Sequence, residues 1–367
     1  MPVQPITELA VDVKRLGTAL EPNGDPTEAE GTLNPASARD RENRLILYPR
    51  DVAQGNISRV GLVRGRENGD STFSFDRNGF ALEPTVGYEL RPHPGFGCED
   101  ARVTFVPVLD KYVMAYTAFG PQGPRIAIAL SDDGYAWERL GLLHFDKPGM
   151  HIGDDKDAVF FPEPVVSPAG VVSLALYHRP MLHISAVDGR AAIPMIERMP
   201  FADRESIRMA YIPLEPVQRD IRNLLDVCES VLVMSPNDEW GSLKLGGGTP
   251  PVLIDEGWMS IYHAVDVLDS TTPKPKLRYS AGIMIHDAQE PHRIIYRSPR
   301  PILSPELETE LKGIVDNVVF PTAIDPRPEL GPRVFDFYYG MADWAIGAAR
   351  MTLGESQRLR EPAESAA

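Results

Sequence analysis

The chain has 367 residues, with 37 Lys+Arg against 52 Asp+Glu, a formal net charge of −15. That acidity excludes nucleic acid or an anionic membrane as the main partner, because both require net attraction to phosphate. The 35 prolines exclude a helical bundle or coiled coil, because proline removes a helix hydrogen bond and clashes with the preceding turn.

The first residues, MPVQPITELAVDVKRLG, lack a basic head followed by a long apolar run, so no signal peptide is expected. No stretch approaches the ~18 apolar residues of a membrane span. Two cysteines, Cys98 and Cys228, are too few for a disulfide framework and suit a reducing compartment, so a cytoplasmic location is expected. Cys98 beside Glu99 reads as a buried spectator thiol rather than a nucleophile. Residues 1–43 are expected to form an N-terminal extension, with 21–40 as a linker or extended arm. Residues 353–367 are expected to be a frayed tail.

Between these ends one theme recurs. A strand-like run ends in aromatic and polar residues, and after a turn a second run carries small residues at alternate positions. The first runs are RLILYPRD (44–51), KYVMAYTAF (111–119), VVSLALYHRP (171–180), GWMSIYHAVD (257–266) and RVFDFYYGMAD (333–343). Their partners are SRVGLVRG (58–65), PRIAIALS (124–131), MLHISAVDG (181–189), LRYSAGIMI (277–285) and WAIGAARM (344–351). Leading runs precede four of them: DARVTFVPV (100–108), DAVFFPEPVV (157–166), TPPVLID (249–255) and NVVFPTAI (317–324). Alternation with β-branched and aromatic residues predicts strands. Repeats of this size predict an all-β, five-bladed β-propeller over 44–352, with a two-sheet sandwich as the competing architecture. The prolines fall at strand ends and edges, where a missing N–H costs least. Segment 189–227 contains helix-compatible stretches and reads as an insertion in the third blade, crossing one face or making an oligomer contact.

Blades around an axis bring equivalent positions to one point. Residues after the middle strands therefore become candidates for a shared site: Arg50, Asp51, Thr117, His178, Arg179, His263, Asp266 and Asp343. Those preceding the leading strands form a second set: Glu99, Asp100, Lys156, Asp157, Asp316 and Asn317. In Glu99-Asp100-Ala101-Arg102, either one carboxyl is a general acid steadied by Arg102, or the group is a structural ion pair; both readings stay open. Arg59, Arg125, Lys156 and Arg179 either clamp an anion or pair with the abundant acids. No His/Asp/Glu spacing matches a metal site, so no metal is predicted. Gly246-Gly247-Gly248 has no strand–loop–helix context and reads as a tight loop, not a nucleotide motif.

The ordered motifs CEDAR (98–102), KDAVFFPE (156–163), YHRP (177–180), LGGGTPPV (245–252), GWMSIYHAVD (257–266), DNVVFPTA (316–323) and YYGMAD (338–343) resemble glycoside hydrolase family 130. Ala101 stands where the family usually has proline. The resemblance implies a five-bladed propeller acting on β-mannosides, chiefly by inverting phosphorolysis. It implies Asp100 as general acid, acting through the 3-hydroxyl of the −1 mannose. It further implies Arg59, Arg125, Lys156 and His263 as phosphate ligands and Asp343 as a sugar ligand. Arg50, Asp51, Glu99, His178, Arg179 and Asp316 remain substrate-site candidates from the repeat argument. An inverting hydrolase needs two carboxyls roughly 6.5–9.5 Å apart, whereas a phosphorylase needs one acid and cations to gather phosphate. Phosphorolysis, with inorganic phosphate as co-substrate and no cofactor, is the favoured expectation. A β-mannosidase and a non-catalytic saccharide-binding propeller are the alternatives.

Overall fold

The computed structural model describes residues 4–358, apart from 146, 148, 149, 151, 152, 183–188 and 272–274. Strands dominate, as the period-2 patterning requires, and they fall into successive antiparallel units. The first unit is Thr32–Arg39, Leu45–Ala53, Ile57–Glu67 and Phe73–Leu82. The second is Phe96–Val106, Lys111–Gly120, Gly123–Ser131 and Glu138–Leu142. A short parallel pairing, Ile57 with Phe96 and Ser58 with Gly97, joins these two into one eight-stranded sheet. The third unit runs through Asp155–Phe160, Val172–Pro180, Ile207–Pro213 and Glu229–Met234. The fourth runs through Lys244–Gly246, Gly257–Asp269, Lys276–His286 and Ile294–Arg297. The last combines Val319–Pro326, Val334–Met341 and Ala345–Arg358 with the N-terminal strand Ile6–Leu20.

Each unit is apolar on both faces, so it buries them only against its neighbours. Tyr48 and Val60 of the first unit pack with Met114 and Tyr116 of the second. Val113 and Ile128 meet Leu174 and Ile212 of the third. Tyr177 and Met209 meet Tyr262 and Met284 of the fourth. Ile261 and Ile283 meet Phe337 and Met351 of the last. Tyr338 and Ile346 then pack on Leu47 and Val63, so the last unit lies against the first.

Three expectations change. Residues 1–43 are not a separate extension: Ile6–Leu20 pairs along the C-terminal strand, and Thr32–Arg39 is a buried strand of the first unit. Its sequence, TLNPASAR, lacks β-branched alternation, so its strand character comes from tertiary pairing. The third strand of the third unit is Ile207–Pro213, inside the expected insertion; the MLHISAVDG run expected there lies partly outside the described residues. The rest of that segment does contain helices, Gly189–Arg198 and Leu214–Arg219. The expected tail begins as strand through Arg358, and the remainder lies outside the described residues.

No helix among the described residues is long and apolar enough to cross a membrane. Cys98 is buried and Cys228 exposed, and burial pushes the Cys98 thiol well up.

Candidate active site

The leading strands of three units kink at matching places. Asn34, Asp100 and Asp157 all have left-handed backbone, with φ of 42°, 46° and 59°. Each sits within a break in strand register, between Leu33 and Ala36, Glu99 and Arg102, and Lys156 and Val159. An extra residue in a strand re-aims its side chain, and Asn and Asp tolerate this conformation better than most residues. All three side chains line one cavity of about 230 Å³. In the fourth unit Gly246 and Gly248 stand at this level. A Cβ on Gly246 would lie 2.2 Å from Asp157 Oδ2, and one on Gly248 2.3 Å from the Ile261 carbonyl oxygen. The triple glycine is therefore required by close approach, not by a ligand loop.

Two groups of side chains meet in the cavity. In the first, Asn34 Nδ2 donates to Asp100 Oδ1 at 2.9 Å and Arg50 Nη1 donates to the same oxygen at 3.3 Å. Glu99 lies behind them, accepting from Arg50 Nη2 at 3.0 Å and from Lys156 Nζ at 2.9 Å. Burial pushes the Asp100 carboxyl up, but Arg50, Arg102 and Lys156 outweigh it and hold it below the usual range. Asp343 goes the other way. Burial raises it to about 6, with the Asp100 charge adding to the rise and Arg50 opposing it. Arg102 is fully buried and donates to the Asp100 carbonyl at 2.6 Å and the Gly248 carbonyl at 3.1 Å. It thus fixes the kinked backbone rather than the carboxylate.

In the second group, Arg179 Nε donates to Asp157 Oδ2 at 2.6 Å, and its Nη1 donates to Glu205. Lys244, Tyr279 and His263 complete this wall. Lys244 has its pKa raised, first by Tyr279 and also by Glu205, against burial and the Arg179 charge. His263 is pushed down to about 3 by burial, reinforced by Arg179, Arg102 and Lys244 and opposed by Asp157. Glu205 comes from the segment between the two helices, so that excursion delivers a carboxylate to the site.

Of the residues singled out in the sequence, Arg50, Asp100, Lys156, Asp157, Arg179, His263 and Asp343 line the cavity, with Glu99 directly behind. The others do not. Arg59 lies 3.4 Å from Glu83 and over the Phe80 ring. Arg125 donates to Asp154 at 2.6 Å. Asp51 accepts from Thr32 Oγ1 at 2.7 Å and abuts Gly61. His178 has both ring nitrogens engaged, with Asp155 at 2.7 Å and Ser230 at 2.8 Å. Asp316 Oδ1 accepts from the Gly313 N–H at 3.5 Å. Side chains alternate in direction along a strand, so a matching position in the repeat does not ensure a matching direction. Asn34, Lys244, Tyr279 and Glu205 were not legible. Only Lys244, two residues ahead of the triple glycine, carried any local signal.

A larger groove, about 800 Å³, lies between the second and third units near Leu109, Trp137 and Val217. Its charged lining residues are Lys111, Asp132 and Glu138, and Lys111 is paired with Asp132, so it offers no comparable chemistry. Among the described residues no group of three or more His, Cys, Asp or Glu is arranged to hold a metal ion.

A family model described as beta-1,4-mannooligosaccharide phosphorylase matches residues 77–357. The chain is 31% identical over 262 residues to a 1,2-beta-oligomannan phosphorylase of Thermoanaerobacter sp. (strain X514), covering 69% of this chain and 67% of that protein. Among solved structures, a beta-1,2-mannobiose phosphorylase from Listeria innocua, in complex with beta-1,2-mannobiose, aligns with a TM-score of 0.66 at 20% identity. The alignment covers 93% of this chain and 97% of that one. Another structure, from work on glycoside hydrolases that target beta-1,2 mannosidic linkages in Candida mannan, aligns with a TM-score of 0.63 at 21% identity, covering 91% and 94%. At those identities the structural matches bear on the fold.

Proposed function

The chain belongs to glycoside hydrolase family 130, and on that premise we propose that it is an inverting β-mannoside phosphorylase built as a single five-bladed propeller. The run of apolar clusters in which each unit packs on the next and the last on the first supports this blade count. The N-terminal strand belongs to this one domain.

The observation that carries the reaction is the cavity's division. One group presents Asp100, and the other gathers Arg179 and Lys244 with Lys156 nearby. Phosphate held by the cations attacks the anomeric carbon. The C–O bond to the leaving sugar breaks, and the configuration inverts to α-mannose 1-phosphate. Asp100 supplies the proton to the leaving oxygen through the 3-hydroxyl of the −1 mannose. Asn34 and Arg50 both bond Oδ1, which leaves Oδ2 for that hydroxyl. Arg50, Arg102 and Lys156 hold Asp100 ionised. Phosphate bound beside Lys156 brings negative charge near Asp100 and offsets the Lys156 charge, which raises the carboxyl's proton affinity and readies it as an acid. Phosphate enters as co-substrate, and no cofactor takes part. This puts Arg179, Lys244, Lys156 and His263 at the anion, and removes Arg59 and Arg125 from it.

Asp343 favours a second reading. A second carboxyl that titrates near 6 beside Asp100 could activate water, making the chain a β-mannosidase. The test is incubation with β-1,2- and β-1,4-mannobiose, with and without phosphate. Phosphate-dependent α-mannose 1-phosphate, read by phosphorus NMR, is the expected result. Free mannose at equal rates in both conditions would favour the hydrolase, and no turnover of either sugar would leave a binding protein.

A further inference from the structure

The third unit carries a second cluster of reactive groups, outside the cavity described above. Each of its four strands contributes one polar side chain: Asp155, His178, Arg208 and Ser230 in strand order. Asp155 lies opposite Pro180, His178 opposite Arg208, and Arg208 opposite Leu232, two residues beyond Ser230. Residues two apart on a strand share a face, so the four side chains stand on one face of the sheet. His178 Nδ1 lies 2.7 Å from Asp155 Oδ2, and its Nε2 lies 2.8 Å from Ser230 Oγ. The Arg179 N–H donates to Asp155 Oδ1 at 3.0 Å, and Arg208 Nε donates to Ser230 Oγ at 3.1 Å. His178 is 1% exposed, and the Phe145 ring covers it with centroids 4.8 Å apart.

The protons can be placed. A carboxylate only accepts, so the proton of the neutral imidazole sits on Nδ1. Nε2 is then an acceptor, and the Ser230 hydroxyl donates to it. Two hydrogen bonds thus run in one sense, from serine to histidine to aspartate. This is the order in which a histidine takes a proton from a serine nucleophile, and such an arrangement is recognised by geometry rather than by fold. Arg208 adds a positive charge at Oγ, which favours loss of the hydroxyl proton. Ser230 is half-buried, and a cavity of about 320 Å³ lies beside it, lined by Arg208, Met181 and Leu232.

We propose that Ser230, His178 and Asp155 form a second catalytic site, a serine esterase whose substrate is a carboxylic ester with its acyl chain on Met181 and Leu232. Ser230 Oγ attacks the ester carbonyl carbon while its proton passes to His178 Nε2. Negative charge develops on the carbonyl oxygen beside Arg208, which stabilises it. The ester C–O bond breaks, and the leaving alcohol takes the proton from His178. Water then attacks the acyl-serine, giving one proton to His178, and Ser230 regains it as the carboxylic acid leaves. The balance is ester plus water to acid plus alcohol. Asp155 touches no substrate; it holds the imidazole in the required tautomer and orientation. The proposal does not depend on the phosphorolysis reading.

Two measurements on the full chain test it. A fluorophosphonate probe, followed by peptide mass spectrometry, should label Ser230. Hydrolysis of p-nitrophenyl butyrate by the wild type should exceed that by Ser230→Ala about 100-fold or more. Asp155→Asn should also lower this rate while leaving Ser230 in place. A cooperative melt of each variant shows that it is folded, and mannobiose turnover by Ser230→Ala should match the wild type, since Ser230 is outside the mannoside cavity. Butyrate hydrolysis unchanged in Ser230→Ala, or a folded wild type whose Ser230 takes no label, would overturn the assignment and leave His178 as a structural tie across the sheet.

Discussion

Asn34 and Asp100 are 66 residues apart in sequence, lie in different units, and are joined by a 2.9 Å hydrogen bond on Asp100 Oδ1. Both adopt left-handed backbone. Two independent strand kinks thus aim one amide at one carboxylate. Asn34→Ala removes the donor and frees the carboxyl to rotate. kcat should fall about 10- to 100-fold, because small misplacement of a reacting group is expensive, while the mannoside KM changes little. Asn34→Asp places a second negative charge there and should move the acid group's limb of the pH–rate profile upward. If both variants keep wild-type kcat and profile, the contact has no part in turnover.

The cation wall gives a contrast between residues. Lys244→Ala removes a charge from the cavity and should raise the phosphate KM about 10- to 100-fold, with the sugar KM nearly unchanged. Arg125→Ala, whose side chain is turned to Asp154, should alter the phosphate KM by no more than about twofold. Steady-state kinetics with phosphate as the varied substrate decide between them. The reverse ranking would return Arg125 to the anion site.

Asp51 supplies a pH test. Burial raises its carboxyl to about 7 in the folded chain, against 3.8 ordinarily. The folded state therefore binds this proton more tightly than the unfolded one. The associated stability is complete below about pH 4 and is lost as pH rises through 7. Asp51→Asn carries no ionisable group, so it should stabilise the protein at pH 8 by on the order of 2–4 kcal/mol, and much less at pH 4. Activity should persist, since Asp51 is outside the cavity. Equal effects on Tm at both pH values would show that the carboxyl does not titrate there.

Gly248 tests the close approach across the centre. A Cβ would stand 2.3 Å from the Ile261 carbonyl oxygen and 2.7 Å from that of Pro321. Both obstacles are backbone and cannot swing aside. Gly248→Ala should lower stability by about 2–3 kcal/mol, read as a shifted denaturant midpoint. An unchanged midpoint would mean the strands separate freely there.

The sequence determined the material of this fold. Alternating β-branched and aromatic runs, punctuated by proline and glycine, specify strands locally, because side chains on a strand repeat every two residues. Their recurrence announced stacked units, and the ordered motifs announced the family. Charged residues at strand ends marked Asp100, Lys156 and Arg179 as candidates before any contact was known. Tertiary structure decided which candidates meet. TLNPASAR becomes a strand only because Leu45–Ala53 pairs with it. Arg59 and Arg125 match Arg50 and Arg179 in chemistry, yet the partners they meet turn them to Glu83 and Asp154. Asn34, Lys244 and Glu205 join the site through contacts with chain segments far away in sequence. A local pattern sets a residue's strand and spacing, but charge pairing and side-chain direction depend on neighbours brought from other units. No periodicity records those neighbours.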